Sequence, residues 1–260
     1  MMPPPCVLTI AGSDSGAGAG VQADARTIHA LGGYALTAIT AVTAQNTHGI
    51  LAWRAVPPAL IAAQIAAVAN DFPIAAIKTG LLSGPAAVKT VAASLPRGMP
   101  LIVDPVIGST SGTRFLTKAG LRALQRHLLP RATLVTPNWP EAATLTGLGV
   151  RTFSEVEIAA NALLKTGCHA VLLKGGHAPG RKCRDYLVTA KGESRWFENP
   201  RVATRNDHGT GCVLSAAIAV LLAQGCTLEE AVNEARAFLH KSLTKNLGLR
   251  LGRGAGPAFP

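Results

Sequence analysis

The chain has 260 residues, is 48% hydrophobic and carries a formal charge of +11 at pH 7, which suits one compact domain and excludes a disordered or low-complexity polypeptide. The charge admits nucleic acid, acidic membranes or phosphorylated metabolites as partners, but with only 4% aromatic residues and no RRM, KH or zinc-knuckle pattern a nucleic-acid module is disfavoured. Cys6, Cys168, Cys183, Cys212 and Cys226 are odd in number and form no CxxC pair, and no apolar run is long enough for a membrane helix; a reducing cytoplasm is the expected compartment.

The first residues, MMPPPCVLTIAGSD, lack the basic region of a signal peptide. A buried strand is expected over residues 6–11, then a helix over 20–31 with Val21, Ala25, Ile28 and Leu31 on one face. Further strands are expected at 35–44, 75–78, 101–103, 133–136 and 170–174, separated by helices at 59–69, 85–95, 118–128 and 155–165. Residues 184–189 and 194–198 read as a hairpin across Lys191 and Gly192, and helices at 210–224 and 228–243 close the chain. This alternation predicts an α/β domain spanning 1–260 with a mostly parallel sheet. In such sheets ligands bind at the carboxyl ends of the strands, where Asp14, Asp104, Asn138 and Lys174 fall.

Asn206-Asp207-His208-Gly209-Thr210-Gly211-Cys212 leads directly into the apolar run 213–222. The first amides of a helix have no intrahelical partner and the dipole adds positive charge there, so Gly209, Thr210, Gly211 and Cys212 form a candidate phosphoryl cradle. A second glycine-rich stretch, 12–20, fits neither the Walker pattern nor GxGxxG, which leaves a dinucleotide-dependent oxidoreductase without its fingerprint. Asp24 follows on the next helix, as a ligand contact or a solvated helix charge.

The segments LTIAGSDSGAGAGVQAD, AVTAQNTHG, IKTGLL, DPVIGSTSG, TPNWPEA, VLLKGGH and DHGTGCVLSAAIA resemble, in the same order and over nearly the whole chain, motifs of the hydroxymethylpyrimidine/phosphomethylpyrimidine kinases. The resemblance implies a ribokinase-like three-layer α/β/α sandwich and transfer of the ATP γ-phosphoryl to 4-amino-5-hydroxymethyl-2-methylpyrimidine and then to its monophosphate, with Mg²⁺, in a homodimer. The neighbouring pyridoxal kinases share the motif order and form the alternative.

By the same resemblance Gly12, Asp24, Gln45, Gly80 and Leu81 hold the pyrimidine, with Leu81 where the family commonly has Met. The Gln45 amide offers a donor and an acceptor, complementary to a ring nitrogen beside an exocyclic amine. Asp104 and Glu141 form the magnesium and phosphate end, partly through water; Asn138 joins that network and Lys174 neutralises the ATP phosphates. Glu141 reads equally as a first-turn helix carboxylate. Cys212 stands where related kinases carry an aspartate base, and a helix N-terminus is expected to depress its pKa. His208 is expected to shape the turn rather than pair with Cys212, and the Arg- and Lys-rich stretch 181–205 reads as a solvated hairpin or as charge that neutralises bound nucleotide.

Overall fold

A computed structural model describes residues 3–108, 112–176, 178 and 180–260. Residues 109–111 of the DPVIGSTSG segment and His177 of VLLKGGH lie outside the described residues. The chain runs β1 (Cys6–Asp14), α1 (Gly20–Ala30), β2 (Tyr34–Asn46), β3 (Gly49–Ala55), α2 (Pro58–Ala69), β4 (Ile74–Thr79), α3 (Pro85–Ser94) and β5 (Leu101–Val103). It continues with α4 (Lys118–Ala123), β6 (Leu134–Val135), α5 (Trp139–Thr146), α6 (Phe153–Leu164), β7 (Ala170–Leu173), β8 (Lys182–Thr189), β9 (Ser194–Pro200), α7 (Thr210–Ala223) and α8 (Leu228–Lys245).

All the strands join one nine-stranded sheet in the order β3-β2-β1-β4-β5-β6-β7-β8-β9. Pairings from β2 to β7 are parallel; β3, β8 and β9 add antiparallel edges. Successive side chains of a strand point to opposite faces, so each central strand feeds two cores. Leu8, Ile10, Ile77, Val103 and Val135 meet α2, α3, α5 and α6 through Ile61, Val88, Val91, Ala142 and Val156. Val7, Ala76, Ile102 and Leu134 face the opposite layer of α1, α7 and α8 through Ile28, Ile218 and Val232. The result is the three-layer α/β/α sandwich expected.

Helix α7 is apolar nearly all round because it packs against α1, α8 and the sheet at once. Truncating the fully buried Ile218 to Ala should cost about 2–5 kcal/mol.

Several boundaries differ from the sequence reading. Helix α4 ends at Ala123 and passes through a wider turn, Leu124–Leu128, into a tight one, Leu129–Arg131, because Pro130 cannot continue the ladder. Helix α6 starts at Phe153, two residues early, because Thr152 caps the Glu155 amide while Glu155 caps Thr152 in return. Strand β3 was not expected, and the short α5 was foreshadowed only by the reading of Glu141 as a first-turn helix carboxylate. GILAWRA is half exposed along β3, so its pattern carries no clean alternation.

Candidate active site

The β1–α1 loop and the turn before α7 interlock. Asp14, at the end of β1, accepts hydrogen bonds from the amides of Gly16 (2.8 Å), Gly18 (3.1 Å) and Ala19 (2.9 Å), which closes the loop on itself. His208 Nε2 lies 3.1 Å from Asp14 Oδ2. Burial opposes the Asp14 charge, but His208 and the amides of Ala19 and Gly16 outweigh it and hold the carboxyl below its ordinary range. The His208 ring covers Gly18, where any side chain would overlap it. Gly209 has φ +80°, and a Cβ there would collide with the Gly18 carbonyl, so glycine is needed at both points of contact.

Cys212 lies in the first turn of α7, part-buried at the floor of the cleft, with Lys78 beneath it. The expectation of a depressed thiol pKa is corrected here. Burial pushes the Cys212 thiol up to about 11, against the pull of Lys78 and a hydrogen bond from the Gly20 amide. The thiol is therefore neutral at physiological pH.

Asp24 is also corrected. It is completely buried and absent from the cleft wall; Lys78 Nζ reaches its two oxygens at 2.9 and 2.7 Å, and Thr9 Oγ1 donates to it at 2.5 Å. Burial works against the Lys78 charge, but Asp24, with Cys212 and Asp104 behind it, carries its pKa above the ordinary range. Asp24 is thus a counter-ion below the floor.

At the other end of the cleft Lys174 donates to Asp104 Oδ1 at 2.8 Å, with side chains 12% and 3% exposed. Lys174 is held in place by this pair. Thr136 and Ser215 hydroxyls also approach Asp104, at 3.3 and 3.5 Å. Asn138 and Glu141 cap α5 reciprocally, with the Glu141 amide donating to Asn138 Oδ1 at 2.9 Å and the Asn138 amide to Glu141 Oε2 at 2.8 Å. Burial pushes the Glu141 carboxyl up to about 7, Lys174 pulling it down and Asp104 pushing it further up. A Cβ on Gly211 would lie 3.1 Å from Lys174 Nζ and 3.5 Å from Asp104 Oδ2, so the glycine lets this charged pair reach the first turn of α7.

Between the two ends runs a cleft of about 590 Å³, within the range of small-molecule sites. Gly12, Gln45, Gly80 and Leu81 line one part, Gly209, Thr210, Gly211 and Cys212 the middle, and Asp104, Asn138, Glu141 and Lys174 another. Val202, Ala203, Leu239 and Leu243 add an apolar wall, beside Arg236, whose Nε donates to Asp185 Oδ2 at 2.6 Å. The sequence reading did not single out that wall, Lys78, Asp14's loop-closing role or the His208–Asp14 contact. Only the Arg/Lys-rich stretch pointed towards this part, and Arg201 from it donates to the carbonyls of Gly176 and Gly180 at 2.7 and 2.9 Å.

An amide-lined helix N-terminus placed between a small pocket and a Lys–carboxylate pair, on a sandwich of this topology, defines a ribokinase-like phosphotransferase. The sequence matches the family described as phosphomethylpyrimidine kinase over residues 14–258, and the chain belongs to that family. A Rhizobium meliloti protein named hydroxymethylpyrimidine/phosphomethylpyrimidine kinase is 46% identical over 253 residues, covering 96% of this chain and 94% of that one. The solved phosphomethylpyrimidine kinase of Clostridium difficile superposes with a TM-score of 0.80 at 36% identity, over 92% of this chain and 99% of that one. A Staphylococcus aureus pyridoxal kinase, solved with pyridoxal, gives a TM-score of 0.86 at 30% identity, over 98% and 92% of the two chains. The fold is thus shared across both activities, while the greater identity lies with the pyrimidine kinases.

Proposed function

We propose that the chain transfers the γ-phosphoryl of ATP to the hydroxymethyl group of 4-amino-5-hydroxymethyl-2-methylpyrimidine and then to the resulting monophosphate, as a cytoplasmic enzyme of thiamine biosynthesis. The observation that carries the reading is the first turn of α7, with Gln45 and Gly12 on one side and the Lys174–Asp104 pair on the other.

The pyrimidine lies against Gly12, Gly80 and Leu81 with Gln45 at its edge. The adenine lies along Val202, Ala203, Leu239 and Leu243, which places the triphosphate over Lys174. Phosphoryl transfer passes through a loose transition state whose charge sits on the γ-oxygens, so the amides of Gly211 and Cys212 and the Lys174 ammonium supply stabilisation rather than covalent chemistry. Cys212, a neutral thiol, orients the acceptor hydroxyl without repelling the phosphoryl group; the new P–O bond forms as the bond from the γ-phosphorus to ADP breaks, and the hydroxyl proton passes late to an oxygen of the transferred phosphoryl group. This role replaces that of a standing thiolate base.

The carboxylates suit magnesium. Glu141, pushed up to about 7 by burial against the pull of Lys174, and Asp104 are hard oxygen donors at the phosphate end, a set that fits an ion which keeps most of its waters. Bound there, Mg²⁺ would neutralise phosphate charge. Val42 and Leu51, 52% and 79% exposed on β2 and β3, offer apolar surface to a second copy and support a homodimer.

Incubation with Mg·ATP and each pyrimidine, with products resolved by mass, tests the reading. Phosphorylation of both is expected. Turnover of pyridoxal alone would keep the fold and chemistry and overturn the substrate.

A further inference from the structure

Gln45 lies one residue before the end of β2 with its backbone pinned on both sides, since its amide donates to Ser15 Oγ and its carbonyl accepts from Ser15 Oγ, each at 2.8 Å. One end of its side-chain amide lies 3.1 Å from His208 Nε2 and the other 3.3 Å from Thr43 Oγ1. The nitrogen is drawn towards His208 and the oxygen towards Thr43.

The donors and acceptors around it do not tolerate that arrangement. His208 Nε2 also faces Asp14 Oδ2 at 3.1 Å, and Asp14 is a carboxylate held in its charged form. Nε2 must therefore carry a proton, whatever the charge of the ring, and an amide N–H pointed at it would set donor against donor. Thr43 has one hydroxyl proton and gives it to the Ser13 carbonyl at 3.0 Å, so an amide oxygen beside Thr43 Oγ1 would set acceptor against acceptor. Turning the amide by 180° satisfies both contacts. Its oxygen then accepts from His208 Nε2–H, which is shared with Asp14, and its nitrogen donates to Thr43 Oγ1. Oxygen and nitrogen ends of an amide are assigned by such a census.

We infer that His208, anchored by Asp14, is a positioning residue that fixes the orientation of the Gln45 amide and thereby the direction in which the acceptor ring docks. The inference rests on the proposed pyrimidine substrate. The amide then offers an acceptor on the His208 side and a donor on the Thr43 side. A 4-aminopyrimidine meets it with the exocyclic amine towards His208 and the adjacent ring nitrogen towards Thr43. In 4-amino-5-hydroxymethyl-2-methylpyrimidine the hydroxymethyl group is on the carbon next to the amine, on the side away from that nitrogen. The docked ring therefore points its hydroxymethyl along the turn His208–Gly209, towards Cys212 and the phosphoryl cradle. The opposite amide orientation would turn it away.

The tautomer is read without substrate, by long-range proton–nitrogen correlation of ¹⁵N-histidine-labelled enzyme. A proton on Nε2 of His208 is expected; a neutral ring protonated at Nδ1 alone would overturn the inference. Kinetically, His208→Phe should raise the KM for hydroxymethylpyrimidine about tenfold while leaving the KM for ATP within about twofold, the scale of one lost hydrogen bond. His208→Gln, which returns an N–H at similar reach, should restore most of that loss. Thr43→Val, which removes the other partner without touching the α7 turn, should show the same selective rise. An unchanged pyrimidine KM in both His208→Phe and Thr43→Val would refute the positioning role. Lack of any turnover with pyrimidine in the wild type would instead sink the functional reading and leave the tautomer result standing.

Discussion

Asp24→Asn is the most telling substitution, because the sequence reading and the structure give it opposite consequences. If Asp24 touched substrate, the change would act on pyrimidine binding. The structure instead places it in a fully buried pair with Lys78, at 2.7 Å and with neither side chain exposed. Removing one charge of such a pair strands the other in a medium that cannot solvate it, at a cost of about 3–5 kcal/mol. For a chain of this size each kcal/mol lowers Tm by about 2–4 °C, so a fall on the order of 10 °C is expected. Thermal unfolding followed by circular dichroism measures it. The double change Asp24→Asn with Lys78→Met removes both charges and should recover more than half of the loss. Below the transition, the pyrimidine KM of Asp24→Asn should stay within about twofold of wild type, since no binding contact is lost. A destabilisation under about 1 kcal/mol, or a double variant less stable than the single, would refute the reasoning.

Cys212→Ala should lose far more turnover than ATP affinity, as ATP titrations beside kcat would show. Thiolate absorbance at 240 nm should show no titration of Cys212 below about pH 9, given the rise to about 11 imposed by burial. Lys174→Ala should weaken ATP binding about tenfold or more by calorimetry, as befits a charge-assisted contact. Glu141 has a folded pKa of about 7 against an ordinary 4.5. Its contribution to stability is therefore full below about pH 4.5 and lost as pH rises through 7. The unliganded wild type should lose stability across that window relative to Glu141→Gln, which takes up no proton; parallel denaturant titrations at several pH values check this.

What the sequence reveals well is what is local. The GTGC turn and the apolar helix after it are contiguous, so cradle and helix are read together. Asn138 and Glu141, three residues apart, carry a capping-box spacing that announces α5, although the sequence reading weighed only Glu141's place in a helix's first turn. The long-range side-chain pairs are invisible for the opposite reason. Asp24 and Lys78 are 54 residues apart, and Asp14 and His208 are 194 apart. Nothing in either neighbourhood marks the partner, and Asp24 on an amphipathic helix reads as an ordinary surface charge. The state of Cys212 was misjudged because the helix-terminus argument counts the dipole and omits burial, which depends on how β1, β4 and α7 close around the sulfur. The apolar wall of Val202, Ala203, Leu239 and Leu243 comes from two distant segments that only the fold unites.

The central claim concerns the acceptor, and the direct measurement is competition: hydroxymethylpyrimidine, its monophosphate and pyridoxal offered to one enzyme preparation with Mg·ATP, and kcat/KM determined for each. The account predicts phosphorylation of both pyrimidines and a preference for hydroxymethylpyrimidine over pyridoxal of at least about tenfold, the worth of one well-placed hydrogen bond at Gln45. A kcat/KM for pyridoxal equal to or above that for hydroxymethylpyrimidine would contradict it.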